Sequence, residues 1–204
     1  LTLFFALSCR HAPRPVPDSV GAAMIIGFNN WHRIHAYRQL WEDSAPPGAS
    51  WSDEFRRLTA RRECYQDRLL LISDGPYSAV PAEVMGLSEA DWLRASVHLR
   101  TVHECAHMLT YRLLKPSAKS LLDEFIADML AIVAVSGRFR PEWLLMFWGL
   151  DSPDGGLADS RLAYYTPEAG EAEQRRLAYW IGCLARDVET LFERYGVDWP
   201  GQLA

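Results

Sequence analysis

The segment His103-Glu104-Cys105-Ala106-His107 has the pattern H-E-x-x-H, and no other feature restricts this chain's folding as tightly. Residues four apart on an α-helix lie about 40° from one another around the axis, so both imidazoles leave from one face and can share a metal ion. The flanking sequence supplies that helix. Ser88-Glu89-Ala90-Asp91 reads as a capping box, which predicts a helix from Glu89 to about Leu114. Trp92, Ser96, Leu99, His103, His107, Thr110 and Leu114 then form one stripe, with the imidazoles pointing inward among apolar neighbours. Glu104 lies about 100° round from His103, where it reaches a metal-bound water without ligating. Chance puts such a pattern in roughly one chain in a hundred of this composition, so a second element has to agree with it.

The next segment does agree. Ser117 or Ser120 can open a second helix running through Ala134, with Gly137 as its stop. It carries Asp123-Glu124-Phe125-Ile126-Ala127-Asp128, which places Glu124 seventeen positions after His107 and Asp128 one turn further on. Leu121, Ala127, Ala131 and Val135 make the same face apolar, as an inward face should be. A hydrolytic zinc site takes three protein ligands and leaves a fourth position to water.

These residues resemble the gluzincin group of zinc metallopeptidases, in which H-E-x-x-H on one helix is completed by the glutamate of E-x-x-x-D on the next. The resemblance covers about residues 92–136. It implies His103, His107 and Glu124 as zinc ligands and Glu104 as general base. It also implies that Asp128 accepts a hydrogen bond from the distal nitrogen of a ligand histidine and fixes its tautomer. Phe125 replaces the asparagine that usually follows the ligand glutamate, and the spacing from His107 to Glu124 is short for the group. The wider run, ending in Gly137-Arg138-Phe139, is similar to a little-studied bacterial family of H-E-x-x-H domains with no established substrate.

A zinc ion held by two imidazoles and a carboxylate lowers the pKa of bound water from near 16 to about 7. Glu104 would take the water proton and pass it to the leaving nitrogen. Candidates for stabilising the developing oxyanion are Tyr111, Arg100, His98, Tyr164, Tyr165 and Arg161. Arg100 and Tyr111 lie about 60° and 80° from His103 around the helix, and His98 points away. Tyr111 is retained as a catalytic candidate. Arg161 is retained as a substrate contact, although a surface salt bridge is the commoner role of such an arginine. Cys105, nearly opposite His103, reads as a small buried residue. His32 and His35 suit packing or capping, and the tryptophans suit the core.

Elsewhere, Asn29 to Trp41 and Ser50 to about Arg62 read as helices, and Arg68 to Ser73 as a buried strand closed by Asp74-Gly75-Pro76. A short helix should run from Pro141 to Phe147. Thr166-Pro167-Glu168 should open a last helix to Tyr195, with an apolar stripe of Leu177, Trp180, Ile181, Leu184, Val188 and Leu191 suited to core or dimer packing. The expected fold is α+β and mostly α-helical, a zincin-like core with a small β-sheet. At 204 residues and roughly 150 residues per domain, 1–204 is expected to be one domain.

Composition narrows the functions. A chain 49% apolar and 12% aromatic does not suit disorder. A net charge of -5 argues against a nucleic-acid partner, and no apolar run reaches the about 18–20 residues of a membrane span. Four cysteines without C-x-x-C pairing suit a reducing cytoplasm. The opening Leu1 to Cys9 faintly resembles the end of a secretion signal, which leaves secretion or lipid anchoring as the lesser expectation. The leading expectation is a zinc (Zn2+)-dependent hydrolase acting on a peptide or small amide. The alternatives are a metal-dependent biosynthetic enzyme with a small non-peptide substrate, and a helical binding protein whose metal is structural or absent. Oligomeric state stays open.

Overall fold

The computed structural model describes residues 21–114, 121–151, 157 and 160–196. The chain falls into two compact units, Ala23–Leu71 in one, and Leu1–Ala22 with Ile72–Ala204 in the other. The architecture is α+β and mostly helical, with one two-stranded antiparallel sheet.

In the smaller unit, β1 (Ala22–Asn29) pairs with β2 (Gln66–Ile72). β2 is the strand the apolar run predicts. β1 has no counterpart in the sequence reading, and its alternation is interrupted by Gly27 at φ +82°, a conformation that favours glycine. Asn30 then caps α1 (Trp31–Ser44), its side chain accepting from the Arg33 amide at 3.1 Å. α2 (Trp51–Thr59) ends earlier than expected, and a 3-10 turn at Arg62–Cys64 follows. Ile34, Leu58 and Tyr65 form this unit's core, flanked by Tyr37, Trp51 and Phe55. Trp31 corrects the expectation that the tryptophans are core, being 59% exposed.

The larger unit contains α3 (Ala82–Met85), α4 (Glu89–Leu114), α5 (Leu121–Ser136), α6 (Pro141–Trp148), α7 (Arg161–Tyr165) and α8 (Glu171–Tyr195). Ser88 caps α4 as predicted, its Oγ accepting from the Asp91 amide. Ser117 and Ser120 lie outside the described residues. Along α4 the stripe through Trp92, Ser96 and Leu99 is fully buried, and it meets Phe125, Ile132 and Val135 of α5 and Leu144, Phe147 and Trp148 of α6. This core carries the histidine-bearing face of α4 and the acidic face of α5.

Three sequence readings need correction here. The last helix starts at Glu171, not at Thr166-Pro167-Glu168. Ser160 offers an earlier cap, its Oγ accepting from the Ala163 amide, so α7 forms first and ends at Thr166. Pro167, lacking an N–H, then stops that helix instead of starting the next. On α8, Ile181 and Ala185 face the core, whereas Trp180, Leu184 and Leu191 of the expected stripe are exposed. Cys105 is likewise exposed instead of buried, because the face of α4 opposite His103 is turned to solvent at that turn. No helix among the described residues is long and apolar enough to cross a membrane.

Candidate metal centre

α4 and α5 bring the three expected ligands together. The Nε2 atoms of His103 and His107 lie 2.9 Å apart. Glu124 Oε2 is 3.4 Å from His103 Nε2, and its Oε1 is 3.5 Å from His107 Nε2. Tetrahedral bonds of about 2.0–2.1 Å separate neighbouring donor atoms by roughly 3.3–3.4 Å, and the three observed spacings bracket that value. His103, His107 and Glu124 can therefore hold a metal ion.

Each ring is aimed by an acid on its far nitrogen. His103 Nδ1 lies 2.8 Å from Asp128 Oδ1, as the E-x-x-x-D spacing implies. His107 Nδ1 lies 2.8 Å from Asp123 Oδ2, a partner to which no sequence spacing points. Thr110 donates to the other Asp123 oxygen. Carboxylates in these positions fix the tautomer with Nε2 free for a metal and make the ring a better ligand.

Asp128 anchors a buried network. It is fully buried, receives hydrogen bonds from the Tyr77 hydroxyl and from Trp148 Nε1 at 2.6 Å, and pairs with Arg161 Nη1 at 3.1 Å. Burial pushes its carboxyl up, but Arg161 and His103 outweigh this and hold it well below the usual carboxylate range. Neither Tyr77 nor Trp148 is recognisable from sequence as part of the site, since each lies on a separate element with no spacing that ties it to the histidines.

Arg161 departs from its expected surface role. Its side chain is 11% exposed, and besides Asp128 it approaches Glu124 Oε2 at 3.5 Å. The rings of Tyr77, Trp148 and Tyr165 surround its guanidinium. Tyr165 takes a hydrogen bond from Arg161 Nη2 at 3.2 Å and donates one to Glu124 Oε2 at 2.9 Å. Arg161 Nη1 also donates to Ser78 Oγ at 3.1 Å. Ser78 and Ala79 hold φ of 51° and 59°, each at a cost of roughly 1–2 kcal/mol for a residue with a Cβ. The strained turn they form presents Ser78 to Arg161.

Burial of His103 opposes its charged form, but Asp128 and Glu124 outweigh this and raise its pKa to about 9 in the metal-free chain. Glu124 is pushed up by burial and pulled further down by His103, His107 and Arg161. Glu104 is shifted upward, chiefly by burial. Its carboxylate makes no hydrogen bond or ion pair among the described residues, and it lines a cavity of about 80 Å³ with His103, Arg100, Arg161, Tyr164 and Tyr165. Of the other expected oxyanion donors, His98 is not in that wall, and the Tyr111 side chain lies outside the described residues. His32 and His35 are exposed.

Fold and site define a mostly helical α+β protein with a buried two-histidine, one-glutamate group able to hold a metal ion. The chain belongs to the family of unknown function DUF7005, whose family model matches residues 1–202. No curated protein and no solved structure matches it.

Proposed function

We propose that this chain is a zinc-dependent hydrolase of peptide or amide bonds, as its resemblance to the gluzincins implies. The observation that carries the reading is the convergence of His103 Nε2, His107 Nε2 and Glu124 beside a Glu104 carboxylate that makes no hydrogen bond or ion pair among the described residues. Two imidazoles and a carboxylate suit zinc, a borderline ion that favours nitrogen and oxygen donors in tetrahedral sites. Zinc held there supplies Lewis acidity and brings the pKa of a water near neutrality. Glu104, its pKa raised by burial, accepts a proton from the attacking water and delivers it to the leaving nitrogen. The water oxygen bonds to the acyl carbon, the C–N bond breaks, and an acid and an amine leave without any change of oxidation state. Arg161 places a cation in the cavity wall, where it opposes negative charge developing on the carbonyl oxygen.

The modest cavity, about 80 Å³, favours a second reading on substrate size, in which the substrate is a small amide or ester of biosynthetic origin rather than an extended peptide. The deciding experiment measures zinc content and turnover together. His103→Ala should lose the zinc, whereas Glu104→Gln should keep about one zinc per chain and lose turnover by at least a hundredfold. Undiminished turnover in Glu104→Gln removes the general base and with it the proposed chemistry.

A further inference from the structure

Two guanidinium groups line the cavity beside the metal-binding residues, and they differ in how their charge is met. Arg161 faces two acids, Asp128 and Glu124. Arg100 faces none within ion-pair distance among the described residues. It is 4% exposed, and its partners are backbone carbonyls, Ser73 O at 3.1 Å and Gly75 O through Nη1, and Pro76 O through Nη2. Gly21 packs against it so closely that an added Cβ would lie 1.9 Å from Arg100 Nε. The aromatic ring of Tyr77 covers one face.

Three carbonyl dipoles satisfy three of the five N–H donors of an arginine, and among the described residues no carboxylate comes within ion-pair distance of its unit charge, on which Asp74 acts only from further away. A buried cation without an ion-pair partner is costly, which is why such groups occur with an anion in place or with one to receive. Burial holds the Arg100 guanidinium below its ordinary pKa, against the opposing pull of Tyr77 and Asp74. The other charged groups in the cavity wall are Glu104, Arg161 and His103, and Glu104 makes no ion pair with Arg100 although it lies one turn away on the same helix. The cavity thus has a carboxylate at the position proposed for proton transfer and, elsewhere in its wall, a cation with no ion-pair partner among the described residues. Its volume of about 80 Å³ has room for several waters, or for an acyl group of a few heavy atoms.

Resting on the hydrolase reading, we propose that the substrate is a small acyl compound bearing a free carboxylate close to the scissile amide, of the N-acyl amino acid class, and that Arg100 binds this carboxylate. A charge-assisted contact of this kind fixes both affinity and register, because the guanidinium offers directional donors to a planar anion. The same contact makes cleavage of internal peptide bonds unfavourable, since an internal residue has no free carboxylate to offer.

The test uses N-acetylglycine and its neutral isostere N-acetylglycinamide, titrated into the metal-free full-length chain by calorimetry. N-acetylglycine should bind at least tenfold more tightly. Arg100→Gln should abolish the preference, and Arg100→Lys should restore part of it. Equal affinity of the two ligands for the wild-type chain overturns the proposal whether or not either variant folds. So does a preference that appears only after zinc is added and survives Arg100→Gln, because the metal would then be the anion site. Turnover of both compounds by the zinc-loaded chain is measured in parallel. Selective binding with neither compound cleaved leaves the carboxylate site standing and removes the hydrolase reading. Cleavage of both at equal kcat/KM with equal binding does the reverse.

Discussion

Asp123 Oδ2 lies 2.8 Å from His107 Nδ1, so the residue immediately before Glu124 holds the second histidine in place. Asp128 does the same for His103. A single helix, α5, therefore supplies the candidate carboxylate ligand and the orienting partner of both imidazoles, and the arrangement of these groups reduces to the packing of α4 against α5.

Asp123→Ala should weaken zinc binding by about 10- to 100-fold, the usual effect of losing a carboxylate that orients a ligating histidine. Asp123→Asn should fall between this variant and wild type, because its amide oxygen still accepts from the His107 ring. Competition against a chelator of known affinity measures both. An Asp123→Ala chain that binds zinc as well as wild type would show that the His107 ring is held by other contacts.

Asp128→Ala should weaken zinc binding as Asp123→Ala does, and in addition it should lower stability. It removes the acceptor of Tyr77 and Trp148 and the counter-ion of Arg161, all of them buried. Breaking a buried pair by deleting one partner costs about 3–5 kcal/mol. Trp148→Phe removes one hydrogen bond to a charged group and should cost about 1.5–3 kcal/mol. Urea denaturation of the metal-free variants should rank them in that order, and the reverse order would place the anchor of the network elsewhere.

The candidate metal ligands are legible in the sequence because their pattern is local: H-E-x-x-H and E-x-x-x-D each fit within two turns of a strongly periodic helix, and periodicity reports which way a side chain points. Asp123 shares that helix but carries no distinguishing spacing, so its contact with His107 follows from the angle at which α5 crosses α4. Tyr77, Ser78 and Trp148 reach the site from a turn and from another helix, at separations of 25 or more residues from His103, where only tertiary packing decides proximity. Arg161 reads as a surface residue because its helix is five residues long, too short to show a period. β1 escapes the sequence pattern for a related reason, since Gly27 interrupts the alternation that would mark it.

Adjacent residues on α8 separate the observed packing from the stripe expected of the sequence. Ile181 is 8% exposed and belongs to the main core, and Trp180 is 66% exposed. Ile181→Ala should cost about 2–5 kcal/mol, whereas Trp180→Ala should change stability by no more than about 0.5 kcal/mol. Thermal or urea unfolding of the two variants checks this. A large loss in Trp180→Ala would mean that the tryptophan face is covered, as it would be in a dimer, and a matching rise in apparent mass by sedimentation would identify the cover.

The protonation of His103 should couple pH to stability and to zinc binding with opposite signs. Burial disfavours its charged form, but Asp128 and Glu124 outweigh that and raise the pKa from 6.5 to about 9 in the metal-free fold. A folded pKa above the unfolded one means that the contribution is fully present below about pH 6.5 and is lost as pH climbs towards 9. Each pH unit between the unfolded and folded values is worth about 1.36 kcal/mol, so the metal-free chain should lose on the order of 3 kcal/mol across this window. Zinc requires the neutral ring, so below pH 9 its binding must displace this proton, and apparent affinity should rise by up to tenfold for each pH unit between about 6.5 and 9. Urea midpoints at pH 6, 7.5 and 9, taken with chelator and then with saturating zinc, test both halves. The chelated protein should weaken steadily with pH and the loaded protein should not. A flat midpoint for the chelated chain would mean that His103 carries no proton in this range and that the pull of Asp128 is balanced by burial.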